Sequence, residues 1–177
     1  MDKNNKTFYC EKKKEAFNWV KSWVKSLFVG FIIFALFSLF FKVINVNGNS
    51  MNGTYLDGDM AIIHRHSTPK RGDVIVFNCS GVGKNLIKRV IAVGGDEIDI
   101  DFESGTVTLN GEVLNEYYIK EPTTTDEGGF EYPVTVPDGH IFVMGDNRNY
   151  STDSRDARVG FVSLEDVEGK VLFKFSI

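Results

Sequence analysis

The sequence predicts a mainly β domain carried behind one amino-terminal membrane-spanning helix. Three observations carry that expectation: an uncharged apolar run over residues 27–41, short β-rich runs separated by turn residues after residue 46, and no second apolar stretch of spanning length. With 177 residues the chain can form one domain with a real core plus accessory segments, and is too short for two large domains.

The helix comes first in chain order. Residues 27–41 carry no charge, and Trp23, Val24, Val43, Ile44 and Val46 extend the apolar character at either end. At 1.5 Å per residue the strict run covers about 22 Å, and snorkelling of Lys25 and Lys42 brings it near the roughly 30 Å of a hydrocarbon core. Lys12, Lys13, Lys14, Lys21 and Lys25 precede it, so the positive-inside rule places the amino terminus in the cytoplasm and the rest of the chain outside. This divides the chain into a basic cytoplasmic tail at 1–25, a transmembrane anchor at 26–46 and an extracytoplasmic domain at 47–177, single-pass in the plasma membrane. The alternatives are a cleaved secretory signal, with Val46, Asn47 and Gly48 as the cleavage site, and a buried core helix. A long basic region and an apolar surface on every face weigh against both.

Charge separates the same segments. The formal net charge is -4, yet residues 1–25 hold seven lysines against Asp2, Glu11 and Glu15, so the tail is basic and the body acidic. Nucleic acid is excluded as a partner, because neutralising phosphates needs clustered Lys and Arg. Cys10 and Cys79, the only cysteines, flank the apolar run and cannot pair within one chain if that run spans a bilayer. Neither has a Cys or His at metal-ligand spacing, and no cofactor, metal or nucleotide, is implied.

In the body, strands are expected at 60–64, 73–77, 86–93, 97–102, 106–109, 112–114, 132–136, 141–144 and 171–175. Asn110 and Gly111 form a strong hairpin signal between two of them. Residues 163–167 are expected as one short helix capped by Ser163, and the polar, glycine-rich stretch 123–129 as an exposed loop.

Three clusters hold candidate chemistry. Ser50 stands nine residues after Phe41, and so at most roughly 30 Å along an extended chain from the end of the apolar run. A serine hydroxyl needs a base. His64, His66 and His140 are available, but no carboxylate is obviously placed to orient them. Lys88 is the other choice: Leu86, Ile87, Val90, Ile91, Ala92 and Val93 surround it on an apolar strand, and burial lowers an ammonium pKa. Residues 145–155, dense in small, polar and charged side chains, are either a solvated loop or a hydrogen-bonded network that pins a site.

Taken in order, these clusters resemble a bacterial type I signal peptidase in its short form with a single anchor. The resemblance rests on the amino-terminal anchor, residues 48–59 and 71–77, Lys88, Arg89, Val90, Ile91 and Ala92 followed by Gly95 and Asp96, and residues 145–155. It implies a signal-peptidase-like β domain of coiled antiparallel sheets, with Ser50 as nucleophile and Lys88 as general base. It implies that Ser151 hydrogen-bonds the lysine amine, that Asp153 and Arg155 form a supporting ion pair, and that Asp146 joins that network. Ile44, Val46, Met51, Tyr55, Leu86 and Ile87 match residues that line two shallow substrate pockets. The implied substrates are signal peptides of exported preproteins, cut after small residues at positions -1 and -3, next to the lipid bilayer and downstream of the general secretion translocon. Two departures follow the serine, where the family's Ser-Met-x-Pro-Thr-Leu is Ser50, Met51, Asn52, Gly53, Thr54 and Tyr55: glycine loosens the turn, and Tyr55 alters a pocket. Gly48 also lacks the hydroxyl that some relatives add to the oxyanion hole. The rival readings are a self-cleaving Ser-Lys protease of the repressor type, a specialised peptidase maturing a pilus or conjugation protein, and an inactive homologue that only binds signal peptides.

Overall fold

The structure, a computed structural model, describes residues 3–176, with side chains from residue 17 onward. It separates into a helical unit ending at Phe40 and a β unit beginning at Phe41. The helix α1, Lys3–Phe40, contains one stretch, Phe17–Phe40, long and apolar enough to cross a membrane, and none of that stretch is buried by protein. Its 24 residues rise about 36 Å, more than a hydrocarbon core requires. A core helix would bury at least one face, so that alternative does not hold.

The helix stops at Phe40, short of the boundary at 46 expected from hydropathy. Phe41–Asn45 is instead strand β1, paired antiparallel with β2, Met60–His64, in the register Phe41 to His64 and Asn45 to Met60. Lys42, β-branched Val43 and Ile44, and Asn45 disfavour another helical turn and suit a strand edge.

Nine further strands follow: β3 Val74–Cys79, β4 Lys84–Val93, β5 Glu97–Asp101, β6 Thr106–Leu109, β7 Glu112–Val113, β8 Val134–Thr135, β9 His140–Met144, β10 Val162–Ser163 and β11 Val167–Phe175. They form a seven-stranded sheet in the order β1-β2-β11-β3-β4-β9-β10 and a four-stranded sheet in the order β7-β6-β5-β8. Every pairing is antiparallel. The β6–β7 hairpin turns at Asn110 and Gly111, whose φ values of 53° and 82° are those of the turn that Asn-Gly favours. At 163–167 the expected helix is a short 3₁₀ turn, Leu164–Asp166, in which Ser163 Oγ accepts from the Glu165 N–H at 3.2 Å. A capping signal was present, but too few residues follow it to propagate an α-helix before β11 begins.

Three apolar clusters hold the β unit together. One gathers Val46, Met51, Ala61 and Ile63; a second joins Ile98, Ile100 and Val107 to Phe142 and Met144; a third packs Ile75 and Phe77 against Val90 and Val143. Strand β4 runs between clusters and is buried from Leu86 to Ala92, which explains its near-continuous apolar sequence. Lys88 and Arg89 are the exceptions on that run.

Phe142 has no solvent exposure. Phe142→Ala is expected to cost about 3–5 kcal/mol, and Val113→Ala, at an exposed position, less than about 0.5 kcal/mol. Denaturant titration of the full chain in detergent, followed by far-ultraviolet circular dichroism, checks both.

Candidate active site

Ser50 lies on a compact turn between β1 and β2. Gly48, at φ 90°, opens the turn, and its N–H donates to Asp57 Oδ1 at 2.7 Å. Backbone bonds from Asn52 N to Asn49 O and from Tyr55 N to Met51 O close it, and the side chains of Val46 and Met51, 1% and 0% exposed, anchor it in the core. Gly53 has φ 123°, which proline, locked near −65°, cannot adopt. The turn is therefore a different path from one built on proline, not a loosened copy, and the Tyr118 carbonyl would sit 3.3 Å from any Cβ added there.

Lys88 is at the middle of β4, opposite Ile75 on β3. It is 2% exposed. Its Nζ lies 2.6 Å from Ser50 Oγ and 2.8 Å from the Ile87 carbonyl. Burial pushes the Lys88 ammonium down to about 8; the Asp153 carboxylate pulls the other way, and nearby Lys84 adds to the lowering.

Arg89 projects to the opposite face of β4 from Lys88, as strand alternation requires. There it holds Asp146 with two hydrogen bonds, Nε to Oδ1 at 2.8 Å and Nη2 to Oδ2 at 2.6 Å. Thr54 Oγ1 donates to the same carboxylate at 2.5 Å, so Asp146 ties the turn after Ser50 to the strand that carries Lys88. Tyr118 covers the arrangement, with the Arg89 guanidinium 4.1 Å from its ring centre.

Residues 145–155 form a buried network rather than a solvated loop. Asp153 and Arg155, both without exposure, pair at 2.9 Å. Asp153 Oδ2 also accepts from the Gly145 N–H at 2.9 Å, and Arg155 donates to the carbonyls of Thr125 and Arg148. Arg148 is buried, pairs with Glu116, and donates to Thr123 Oγ1 and the Gly145 carbonyl. Asn147 clasps the serine turn directly: its N–H donates to Ser50 O and its Nδ2 to Asn49 O, each at 2.9 Å. Ser151 Oγ is buried beside this clasp and has no hydrogen-bond partner among the described residues. The Lys88 amine points at Ser50 and Ile87 instead of at it.

A groove of about 620 Å³ opens beside Ser50 and Lys88, with Ile44, Leu86, Ile87 and Val76 among its walls. Three of the six expected pocket residues thus line it. Val46, Met51 and Tyr55 do not; they lie in the first core cluster, under the turn instead of facing the groove. None of the three histidines borders it. Glu116 and Tyr118 escaped sequence reasoning, and Arg89, Thr54, Asn147 and Arg148, though inside the family motifs, were given no role of their own, because their partners are 25 to 98 residues away.

A buried amine against a serine hydroxyl, with a groove alongside, is equipped for acyl transfer. Comparison with known proteins agrees. The family model described as signal peptidase, peptidase S26, matches residues 19–176. The chain belongs to this family. It is 31% identical over 174 residues to a signal peptidase I of Bacillus licheniformis, covering 93% of this chain and 90% of that one. It is also 31% identical over 177 residues to signal peptidase I U of Bacillus subtilis, covering 94% and 91%. A crystal structure of a signal peptidase I from Enterococcus faecalis matches with a TM-score of 0.50 at 35% identity, covering 60% of this chain and 98% of that one. As in that family, the chain is a serine peptidase with a mainly antiparallel β domain.

Arg155→Ala would leave the Asp153 carboxylate buried without its partner, and is expected to destabilise this signal-peptidase-family domain by about 3–5 kcal/mol. The shift of the unfolding midpoint against the parent chain measures it.

Proposed function

We propose that this chain is a membrane-bound endopeptidase that removes signal peptides from exported preproteins through a Ser50–Lys88 dyad. The 2.6 Å contact between Lys88 Nζ and Ser50 Oγ, made by a lysine that is 2% exposed, carries this reading. The neutral amine takes the serine proton as Oγ attacks the scissile carbonyl, and the Ser50 backbone N–H holds the tetrahedral oxyanion. The resulting ammonium gives its proton to the leaving amine. A water, deprotonated by the same amine, then releases the acyl group and restores the serine. The Ile87 carbonyl steadies the amine, and Asp146, Asp153 and Arg155 hold the two segments in register.

The substrate lies extended in the groove between β1 and β4, acyl side inward, with small residues at -1 and -3 against Ile44, Leu86 and Ile87. Phe17–Phe40 spans the plasma membrane with the basic tail in the cytoplasm and the β unit outside, acting after the general secretion translocon at the bilayer surface. The intact dyad contact favours this over a homologue that binds signal peptides without cutting them.

The purified chain in lipid or detergent, incubated with a preprotein bearing Ala at -1 and -3, should release the mature protein. Lys88→Ala should slow that release about 10²–10⁴-fold, and Ser50→Ala should abolish it; identical product bands from all three would sink the dyad. Because only neutral Lys88 accepts a proton, and it is protonated below its value of about 8, kcat/KM should rise about tenfold per pH unit in acid and level off above that value. A profile that stays flat to pH ~10 and climbs only there argues for an ordinary exposed lysine instead.

A further inference from the structure

The groove does not end in apolar side chains. Beside its apolar walls it is also bordered by Lys42, Lys84, Asn85 and Glu168. Glu168, on β11, is fully engaged: Lys42 Nζ donates to one carboxylate oxygen at 2.8 Å and Asn85 Nδ2 to the other. This ties β1 and β4, the two groove walls, to one side chain. The Lys42 ammonium accordingly holds the Glu168 carboxyl below its usual range. Lys84 is left over. It is exposed on the same groove, and among the described residues its ammonium has no ion pair or hydrogen-bond partner.

Strand geometry says which part of a substrate meets it. Lys84 precedes Lys88 by four residues of β4, about 13 Å. A peptide extended along β4 with its -1 residue at the dyad brings its -5 residue, also four residues away, level with Lys84. Alternation turns the -1, -3 and -5 side chains to the same side of the peptide, so the first two face the apolar wall and the third faces the charged end. We infer that Lys84 is a specificity-determining residue for substrate position -5, favouring an acidic side chain there and disfavouring a basic one. This rests on the proposed reading of the groove as the signal-peptide site. Glu168 bonds Lys42 and Asn85, so Lys84 is the cation left for a substrate carboxylate to meet.

The test is competition between peptides that share Ala at -1 and -3 and carry Asp or Lys at -5, cut by the full chain in detergent above the Lys88 midpoint and at low ionic strength. The ratio of kcat/KM values is independent of how much enzyme is folded. Wild type should prefer Asp over Lys by roughly fivefold or more, as two partly exposed charge interactions of opposite sign allow. Lys84→Met should bring the ratio toward one, Lys84→Glu should invert it, and ~0.5 M salt should compress it in wild type. Cleavage that depends on Ser50 but shows a ratio near one, unmoved by either Lys84 variant, overturns the inference alone. No Ser50-dependent cleavage of any peptide overturns the protease reading and the inference with it.

Discussion

The burial of one amine decides the rest of the β unit. Lys88 occupies a position on β4 where both neighbours along the strand and the facing strand β3 are shielded from water. An ammonium there loses its hydration, and burial lowers its pKa to about 8. That same burial is possible only because β4 runs between apolar clusters, so the strand's position in the sheet and the state of the amine are one fact. Ser50 then has to be brought to the amine from a different segment, and much of the remaining architecture serves that approach.

Two tethers make the approach. On one side of β4, Arg89 holds Asp146, and Asp146 holds Thr54 in the serine turn. On the other, Asn147 holds the backbone of Asn49 and Ser50, while Asp153, Arg155, Arg148 and Glu116 fix the loop that carries Asn147. Buried ion pairs contribute little net stability, because desolvation offsets most of their attraction. Here Arg89, Arg148, Arg155 and Asp153 also bond backbone carbonyls or N–H groups, and what the pairs provide is a single geometry. A serine turn held only by apolar contacts would tolerate shifts large enough to lose a 2.6 Å contact. The Asp153 carboxylate also faces Lys88 across this network and limits how far burial lowers it.

Much of the fold was legible in the sequence where the signal was local. The Asn110–Gly111 hairpin, the alternation of β5 and the continuous apolar run of β4 each correspond to an observed strand or turn. The errors fell where local pattern is ambiguous. Apolar Phe41–Asn45 reads as more anchor or as a strand, and only pairing with β2 separates them. Val46, Met51 and Tyr55 are apolar and close to the serine in sequence, yet a compact turn folds them beneath it into the core. Gly53 looked like a weakened proline turn because a residue type does not reveal φ.

By itself the sequence determined the class of the domain, the helix long enough to cross a membrane and the residue types able to run Ser-Lys chemistry, since hydrophobic period, turn residues and an isolated lysine among aliphatic neighbours are properties of short segments. Tertiary structure alone decided that Asp146 belongs with Arg89 and Thr54, and which apolar residues face the groove. Those are contacts between segments tens of residues apart, and their choice follows from strand order and from which side of each pleat a side chain leaves. Neither is written in any one stretch of chain.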